Sequence, residues 1–239
     1  MARTTIEWTE CSWNPITGCT KISAGCEHCY AERMAKRLKA MGQSRYSNGF
    51  DLTLHNDILD LPLRWRKPRS IFVNSMSDLF HKNVPDSFVD KVLSTIREAE
   101  WHRFQLLTKR AERLALIDNY IEWPSNSMIG VTVENRDTRD RIDLLRATAA
   151  PIKFISFEPL ISPVGKLDLR GIDWVIVGGE SGPGARPMDV SWVLEIKRQT
   201  ERLDIPFFFK QWGGTIKKRR GRMLEGQEWN EVPTMVAGI

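Results

Sequence analysis

Cysteine is scarce in this 239-residue sequence, and all of it lies within the first thirty residues, at Cys11, Cys19, Cys26 and Cys29. Disulfides among these four would connect no distant parts of the chain, which excludes the disulfide frameworks of small secreted proteins. In a reducing compartment, cysteines grouped this closely are typical of metal binding. We therefore expect metal ligands near the start of the chain.

Long hydrophobic runs and low-complexity tracts are also missing. No apolar stretch approaches the roughly 20 residues that a membrane-spanning helix needs, and the first residues show no apolar signal region. We expect a cytoplasmic protein without a membrane partner. With 41% hydrophobic and 27% charged residues, the composition suits one compact core and differs from that of disordered or fibrous chains.

Acidic residues are outnumbered by basic ones, 30 to 35, which gives a formal net charge of +5. An excess of this size permits a nucleic-acid partner without requiring one. Basic runs are more often solvated surface than binding sites. The densest runs are Lys217, Lys218, Arg219 and Arg220 with Arg222, and Arg64, Arg66 and Lys67 with Arg69.

Six short apolar or β-rich runs recur along the chain, each closed by polar or small residues. Near-continuous hydrophobic runs of this length are typical of strands buried on both faces of a parallel sheet. The runs are Ile71–Val73, Phe104–Leu107, Met128–Val131, Phe154–Phe157, Trp174–Val177 and Phe207–Phe209. Helix patterns lie between several of them, at residues 31–41, 111–121 and 136–148, and after Asp86 and Asp189, which are both suited to cap a helix.

This alternation predicts a parallel α/β protein with right-handed crossovers. We predict a full or partial parallel β/α (TIM-like) barrel in a single domain, because polar residues follow every strand and barrel active sites are built at that rim. The connection from Leu160 to Gly171 contains Pro163 and is scarcely long enough for a crossover helix, so we expect it to be helix-free. Residues 214–239 are expected to form a basic C-terminal appendage.

The cysteine-rich segment contains the pattern Cys-x6-Cys-x2-Cys directly before a helix. Thiolates are the preferred ligands of iron–sulfur clusters, and Cys19, Cys26 and Cys29 would leave one iron of a four-iron cube without a protein ligand. An iron without a protein ligand is open to a reacting molecule. A structural zinc site is the alternative, since it closes with four ligands and Cys11 or His28 could supply the fourth.

The three-cysteine loop before the first helix, in a β/α chain of this size, resembles the radical S-adenosylmethionine (SAM) superfamily. Further segments are similar to a phage-associated family of short three-cysteine proteins, whose members are named for phage gene products and whose substrate is unsettled. The segments are Trp13–Pro15, Gly18–Cys19, Gly25–Cys26, Cys29–Glu32, Asn74–His81, Leu107–Arg110, Ser156–Leu160, Gly178–Gly182 and Phe209–Gly213. The resemblance implies that residues 1–213 form a radical-SAM-like barrel domain.

The resemblance also implies the cofactors. Cys19, Cys26 and Cys29 would hold a [4Fe-4S] cluster whose open iron is chelated by S-adenosylmethionine. Reductive cleavage of that cofactor gives a 5′-deoxyadenosyl radical, which abstracts hydrogen from a substrate. An electron donor of the flavodoxin or ferredoxin type is the expected partner.

The residues expected to bind the cofactor follow from the same resemblance. In the superfamily, a Gly-Gly-Glu sequence after the second strand holds the methionine amine, whereas Gly178–Glu180 of this chain follows a late strand. By position, the second strand end offers Ser75, Ser77 and Asp78, and Asp78 is suited to accept hydrogen bonds from the methionine ammonium. Glu134, after the fourth strand, could hold the ribose hydroxyls, and Glu180 is kept as a further cofactor-binding candidate.

Lys109, Glu158 and Lys210 also sit at strand ends and are the candidate catalytic residues. The alternative for each is an ordinary ion pair at the rim of the sheet. The candidate substrate is a nucleic-acid base or nucleotide, which the enzyme would modify or repair. This choice rests on the excess of basic residues, the nine tryptophans and the phage association. The competing function is a zinc-stabilised, non-catalytic nucleic-acid-binding module.

Overall fold

The computed structural model describes residues 4, 6–216 and 219–234, which form a parallel sheet flanked by helices. The strands are β1 (Cys11–Trp13), β2 (Ile16–Thr17), β3 (Thr53–Leu54), β4 (Ser70–Val73), β5 (Arg103–Thr108), β6 (Ser127–Thr132), β7 (Lys153–Phe157), β8 (Trp174–Gly178) and β9 (Phe207–Gln211). The α-helices are α1 (Tyr30–Ala40), α2 (Asp86–Glu98), α3 (Ala111–Asp118), α4 (Asp140–Arg146) and α5 (Val190–Glu201).

Seven strands form one sheet in the order β1-β4-β5-β6-β7-β8-β9, and every neighbouring pair is parallel. The short strands β2 and β3 pair antiparallel beside it. Within the described residues β1 and β9 are the two edges of the sheet, which curls into a half-barrel instead of closing. The prediction of a partial β/α barrel is therefore confirmed, with its sheet sequential as in a TIM barrel.

The two faces of the sheet have different cores. Side chains from α2, α3, α4 and α5 join the outward-facing strand residues in one large cluster. The opposite face is filled by a smaller cluster that takes no residue from these helices and is closed by Trp8, which packs on Phe72 with ring centroids 4.7 Å apart. The remaining members of this smaller cluster are Met128, Phe154, Trp174, Ile176 and Phe208. These side chains fill the interior of the half-barrel, so a binding site would lie at its rim.

The helices largely follow their predicted positions, with one correction at α2. Asp189 caps α5 as predicted, because its carboxylate accepts a hydrogen bond from the Ser191 amide. Asp86 is wrong as a cap: Pro85 precedes the helix, and the Asp86 carboxylate accepts hydrogen bonds from Arg113 and Tyr120 on α3 and just after it. The connection 160–171 contains no helix, as predicted. Among the described helices, none combines the length and apolar character that crossing a bilayer requires.

The chain beyond β9 folds back along this edge of the sheet. Asn230 pairs with Phe208 in an isolated antiparallel bridge, and the Trp229 ring packs on Phe207 at 6.2 Å. The Arg222 guanidinium lies 5.1 Å from the centre of the Phe208 ring. Lys217 and Lys218, from the densest basic run, lie outside the described residues. The division of the chain at residue 213 stays a prediction.

Three buried histidines make this fold sensitive to acid. His55, His81 and His102 are 7%, 0% and 1% exposed, and burial lowers the pKa of each below the ordinary value of 6.5. The unfolded chain therefore binds more protons than the folded chain once the pH falls below 6.5. We expect the free energy of unfolding to fall there by up to about 1.4 kcal/mol per histidine per pH unit.

Urea unfolding followed by circular dichroism at about pH 7.5, 6.5 and 5.5 measures this loss. A midpoint that drops between the last two conditions is the expected result. A midpoint that stays constant across all three would contradict the lowered histidine pKa values.

Candidate functional site

The three clustered cysteines lie on one loop above the carboxyl ends of the sheet strands. This cysteine loop, residues 18–29, follows β2 and ends at α1, with Cys26 buried in a one-turn 3-10 helix and Cys29 directly before α1. Gly18 starts the loop with a φ of +81° and pairs with Ser77 beyond β4. A Cβ on Gly18 would stand 2.2 Å from the Asp51 carbonyl oxygen, so only glycine allows this approach.

Arg110, just after β5, holds the first part of the cysteine loop. Its guanidinium donates to Cys19 Sγ at 3.6 Å and to the Thr20 carbonyl oxygen at 2.9 Å. His81 Nδ1 accepts from the Asn83 amide, so the proton is on Nε2, which donates to Thr20 Oγ1 at 2.9 Å. Burial raises the pKa of the Cys19 thiol to about 11, and a cation that binds this sulfur must displace its proton.

Glu134, after β6, holds the middle of the loop. Its carboxylate is fully buried, accepts a hydrogen bond from Ser23 Oγ at 2.7 Å and pairs with Lys109. Burial alone would raise the pKa of Glu134, but Lys109 and Ser23 hold it below its ordinary value. Gly25 packs so closely that a Cβ there would meet the carboxylate at 2.5 Å. Glu134 Oε2 accepts no hydrogen bond from the described residues, so one buried carboxylate oxygen is left for a ligand.

Arg186 holds the last part of the loop, and sequence reasoning missed it. It donates to both carboxylate oxygens of Glu180, at 2.6 and 2.9 Å. The same guanidinium donates to the Ala24 carbonyl oxygen at 2.9 Å and to Glu27 at 3.2 Å. Glu180 is therefore engaged by Arg186 and fixes the arginine that reaches the cysteine loop. No sequence pattern marks Arg186, which is a single arginine after a run of glycines.

The glycine-rich segment 178–184 packs between β9 and α1. A Cβ on Gly179 would stand 2.2 Å from the Trp212 carbonyl oxygen, and one on Gly182 would stand 2.2 Å from the Arg33 guanidinium. Arg33, on α1, donates to the Ser181 carbonyl oxygen at 2.6 Å. Packing against backbone requires glycine at position 179, and a φ of +103° favours glycine at position 182. The Arg33 hydrogen bond ties the segment to the helix that follows the cysteine loop.

The candidate catalytic residues form two ion pairs. Lys109 pairs with Glu134, which joins a candidate catalytic residue to a candidate cofactor-binding one. Lys210, after Phe209 in β9, pairs with Glu158 at the end of β7. Gly178 lies between these two side chains, and a Cβ on it would be 3.4 to 3.6 Å from them. Each of the two lysines thus pairs with a carboxylate that follows a different strand of the sheet.

Ser75, Ser77 and Asp78 are brought to the same rim, but their polar atoms are engaged within the chain. Ser75 Oγ donates to Asn14 at 3.1 Å, and Ser77 Oγ donates to the Gly18 carbonyl oxygen. The Asp78 carboxylate is 7% exposed and accepts hydrogen bonds from Thr108 and from two backbone amides, those of Phe80 and Lys109. Their direct contact with a cofactor stays a prediction, and their visible role is to position β4, β5 and the cysteine loop.

The donor set at this site fits an iron–sulfur cluster. Three soft thiols lie on one loop, and a buried carboxylate oxygen lies beside them. Within the described part of the chain, no three His, Cys, Asp or Glu side chains converge as they would around one metal ion. A cube of four irons spreads its thiolates around a whole cluster, so it does not require that convergence. Cys11 is 1% exposed in β1 and belongs to the hydrophobic core.

Comparison with known proteins gives one family and a group of solved structures. A family model described as a protein of unknown function (DUF5131) matches residues 3–233. No curated protein matches the chain.

The solved structures are of spore photoproduct lyase. In complex with a dinucleoside spore photoproduct, that enzyme is 11% identical with a TM-score of 0.45, over 78% of this chain and 59% of that one. A double mutant with bound AdoMet and the dinucleoside spore photoproduct is 12% identical with a TM-score of 0.44, over 79% and 60%. This chain spans about three fifths of the length of those proteins. A likeness at this level carries no information about activity.

Proposed function

We propose that this chain, which belongs to the DUF5131 family of proteins of unknown function, is a radical SAM enzyme with a [4Fe-4S] cluster. The observation that carries the proposal is the cysteine loop, which Arg110, Glu134 and Arg186 fix above the carboxyl ends of a partial β/α barrel. Active sites of β/α barrels are built at that rim. The motif resemblance to radical SAM proteins supports the same assignment.

Cys19, Cys26 and Cys29 would hold the cluster and leave one iron open to S-adenosylmethionine. With both groups bound, such a site supplies reductive cleavage of the sulfonium and a 5′-deoxyadenosyl radical that takes hydrogen from the substrate. Arg110 donates a hydrogen bond to Cys19 Sγ, which stabilises negative charge on that sulfur. Arg110 would therefore both position this ligand and favour the reduced state of a bound cluster.

Glu134 is the carboxylate best suited to contact S-adenosylmethionine. The carboxylates of Asp78 and Glu180 are engaged by hydrogen bonds from this chain, whereas Glu134 Oε2 is buried without one among the described residues. A ribose hydroxyl or an ammonium group would satisfy that oxygen. In this proposal Asp78 and Glu180, with Ser75 and Ser77, position the segments that surround the cofactor.

The ion pairs at the rim are proposed to line the substrate side of the site. Lys210 is 8% exposed and paired with Glu158, and Lys109 is paired with Glu134. Removing one partner leaves the other as an uncompensated charge in a largely dehydrated place. In this proposal the two pairs, Lys109 with Glu134 and Lys210 with Glu158, orient polar groups of the substrate.

The proposed substrate class is a nucleic-acid base or nucleotide. The excess of five basic residues supports a polyanionic ligand. An electron donor of the flavodoxin or ferredoxin type would reduce the cluster, as the resemblance implies.

Cleavage of S-adenosylmethionine tests the proposed function. Anaerobically reconstituted protein, reduced with dithionite and mixed with S-adenosylmethionine, is expected to form 5′-deoxyadenosine that chromatography with mass detection measures. Protein without reductant is the control and should form none. Absence of the product from reduced protein that contains stoichiometric zinc would overturn the proposal in favour of the non-catalytic binding module.

A further inference from the structure

A cavity of about 650 Å³ lies beside the cysteine loop, between the end of β9 and the segment after the glycine-rich run. It is lined by residues 185–187 and 212–216 together with Arg219 and Arg220. Arg186 connects it to the cysteine loop, because the guanidinium that lines the cavity also donates to the Ala24 carbonyl oxygen at 2.9 Å. A ligand in the cavity would therefore lie next to the proposed cluster site.

The cavity carries positive charge that the described residues do not balance. The charge of Arg186 is offset by Glu180 and Glu27. Arg219 and Arg220 are exposed, and no carboxylate in the described part of the chain lies within 4.0 Å of either guanidinium. Such a concave basic surface attracts anions more strongly than a flat one.

Some other surface arginines of this chain are paired with carboxylates. Arg45, Arg64 and Arg170 are each paired with a carboxylate at 2.5 to 2.6 Å. Solvated surface explains those three without a ligand. Exposed arginines elsewhere, such as Arg37, Arg66 and Arg103, also have no carboxylate within 4.0 Å among the described residues, but they do not line this cavity. The position of Arg219 and Arg220 on one concave surface beside Arg186 distinguishes them from an ordinary charged surface.

Trp212 adds a flat apolar surface to the same cavity. Its indole N–H donates to the Met223 carbonyl oxygen at 2.9 Å, and its ring packs edge-on against Phe209 with centroids 4.9 Å apart. These contacts fix the ring while it remains partly exposed at the cavity wall. Fixed aromatic rings beside arginines are the usual platform for bases of single-stranded nucleic acids.

We propose that this cavity binds a nucleic-acid strand, with Arg219 and Arg220 on its phosphates and Trp212 against a base. The proposal rests on the proposed function and specifies its substrate class, because the cavity adjoins the site where the chemistry would occur. Arg186 would contribute positive charge while it stays hydrogen-bonded to Glu180. The cavity would anchor the strand and so bring an adjacent nucleotide to the rim of the barrel.

Charge reversal tests this assignment. Fluorescence anisotropy of a labelled single-stranded oligonucleotide would be measured with cluster-loaded wild type, the double variant R219E/R220E and the control R66E/K67E. The control makes the same change in net charge on exposed residues that precede β4, at the amino end of the strands. We expect R219E/R220E to weaken binding about tenfold or more, and the control less than about threefold, because phosphate contacts dominate such affinity.

The outcomes separate this proposal from the proposed function. Equal affinities of the two variants, in protein that contains iron and forms 5′-deoxyadenosine, would overturn the cavity assignment alone. A selective loss in R219E/R220E supports the assignment, even in protein that proves to contain no cluster. Iron content and circular dichroism of each variant show whether it is folded and loaded. A Trp212→Leu variant should also lose affinity, whereas affinity equal to wild type would remove the ring from the site.

Discussion

The Cys26→Ala variant is expected to lose the cluster completely while the barrel remains folded. A cluster with three protein ligands is not retained by two, because the affinity of a metal site depends on its full ligand set. We expect less than about a tenth of the iron of wild type after anaerobic reconstitution. The fold should persist because Cys26 belongs to neither hydrophobic cluster and its thiol contacts only the Ser23 hydroxyl among the described polar atoms, at 3.6 Å.

Iron analysis together with far-ultraviolet circular dichroism checks this expectation. Cys11→Ala is the matched control, since it removes a buried thiol that lies in β1 and outside the cysteine loop. The control should keep its iron and differ from wild type only by a small loss of stability. Full iron content in Cys26→Ala would show that Cys26 is not a ligand.

The Asp78→Ala variant is expected to lose about 3–5 kcal/mol of the free energy of unfolding. Its carboxylate accepts hydrogen bonds from the Thr108 hydroxyl at 2.8 and 2.9 Å and from the amides of Phe80 and Lys109 at 2.9 and 3.2 Å. Arg110 Nε also lies 3.7 Å from it. Alanine would leave these buried donors without an acceptor, and each unsatisfied donor is costly.

Urea unfolding measures the loss, with Asp90→Ala as the control because Asp90 is exposed on α2. The control is expected to change the free energy of unfolding by less than about 0.5 kcal/mol. Affinity for S-adenosylmethionine, measured on folded protein, separates the two roles of Asp78. An unchanged urea midpoint with lost affinity would mean that Asp78 contacts the cofactor directly and does not primarily position β4 and β5.

Most of the fold follows from the sequence because buried parallel strands carry a strong signal. Every residue of β6, β8 and β9 is buried, and the corresponding apolar runs mark all three. The edge strand β1 was missed, since Cys11–Trp13 is only three residues long and includes the partly exposed Ser12. The Asp86 cap was wrong because the carboxylate has stronger partners on another helix, which no local pattern reveals.

The grouping of the candidate site residues at one rim was predictable, and their pairings were not. Polar residues at the ends of parallel strands meet at one rim, so Lys109, Glu134 and Lys210 could be grouped from the sequence. Which carboxylate each lysine meets depends on the register and curvature of the sheet, which the sequence does not display. Arg110 and Arg186 act across 91 and 162 positions of the chain, on Cys19 and Ala24. Contacts over such distances leave no local signal.

Electron paramagnetic resonance with and without S-adenosylmethionine is the most direct test of the central claim. The anaerobically reconstituted, dithionite-reduced protein should give the signal of a reduced four-iron cluster, and that signal should shift when S-adenosylmethionine binds the open iron. A protein that shows no cluster signal, or a cluster signal that S-adenosylmethionine leaves unchanged, would contradict the assignment of Cys19, Cys26 and Cys29 to a radical SAM site.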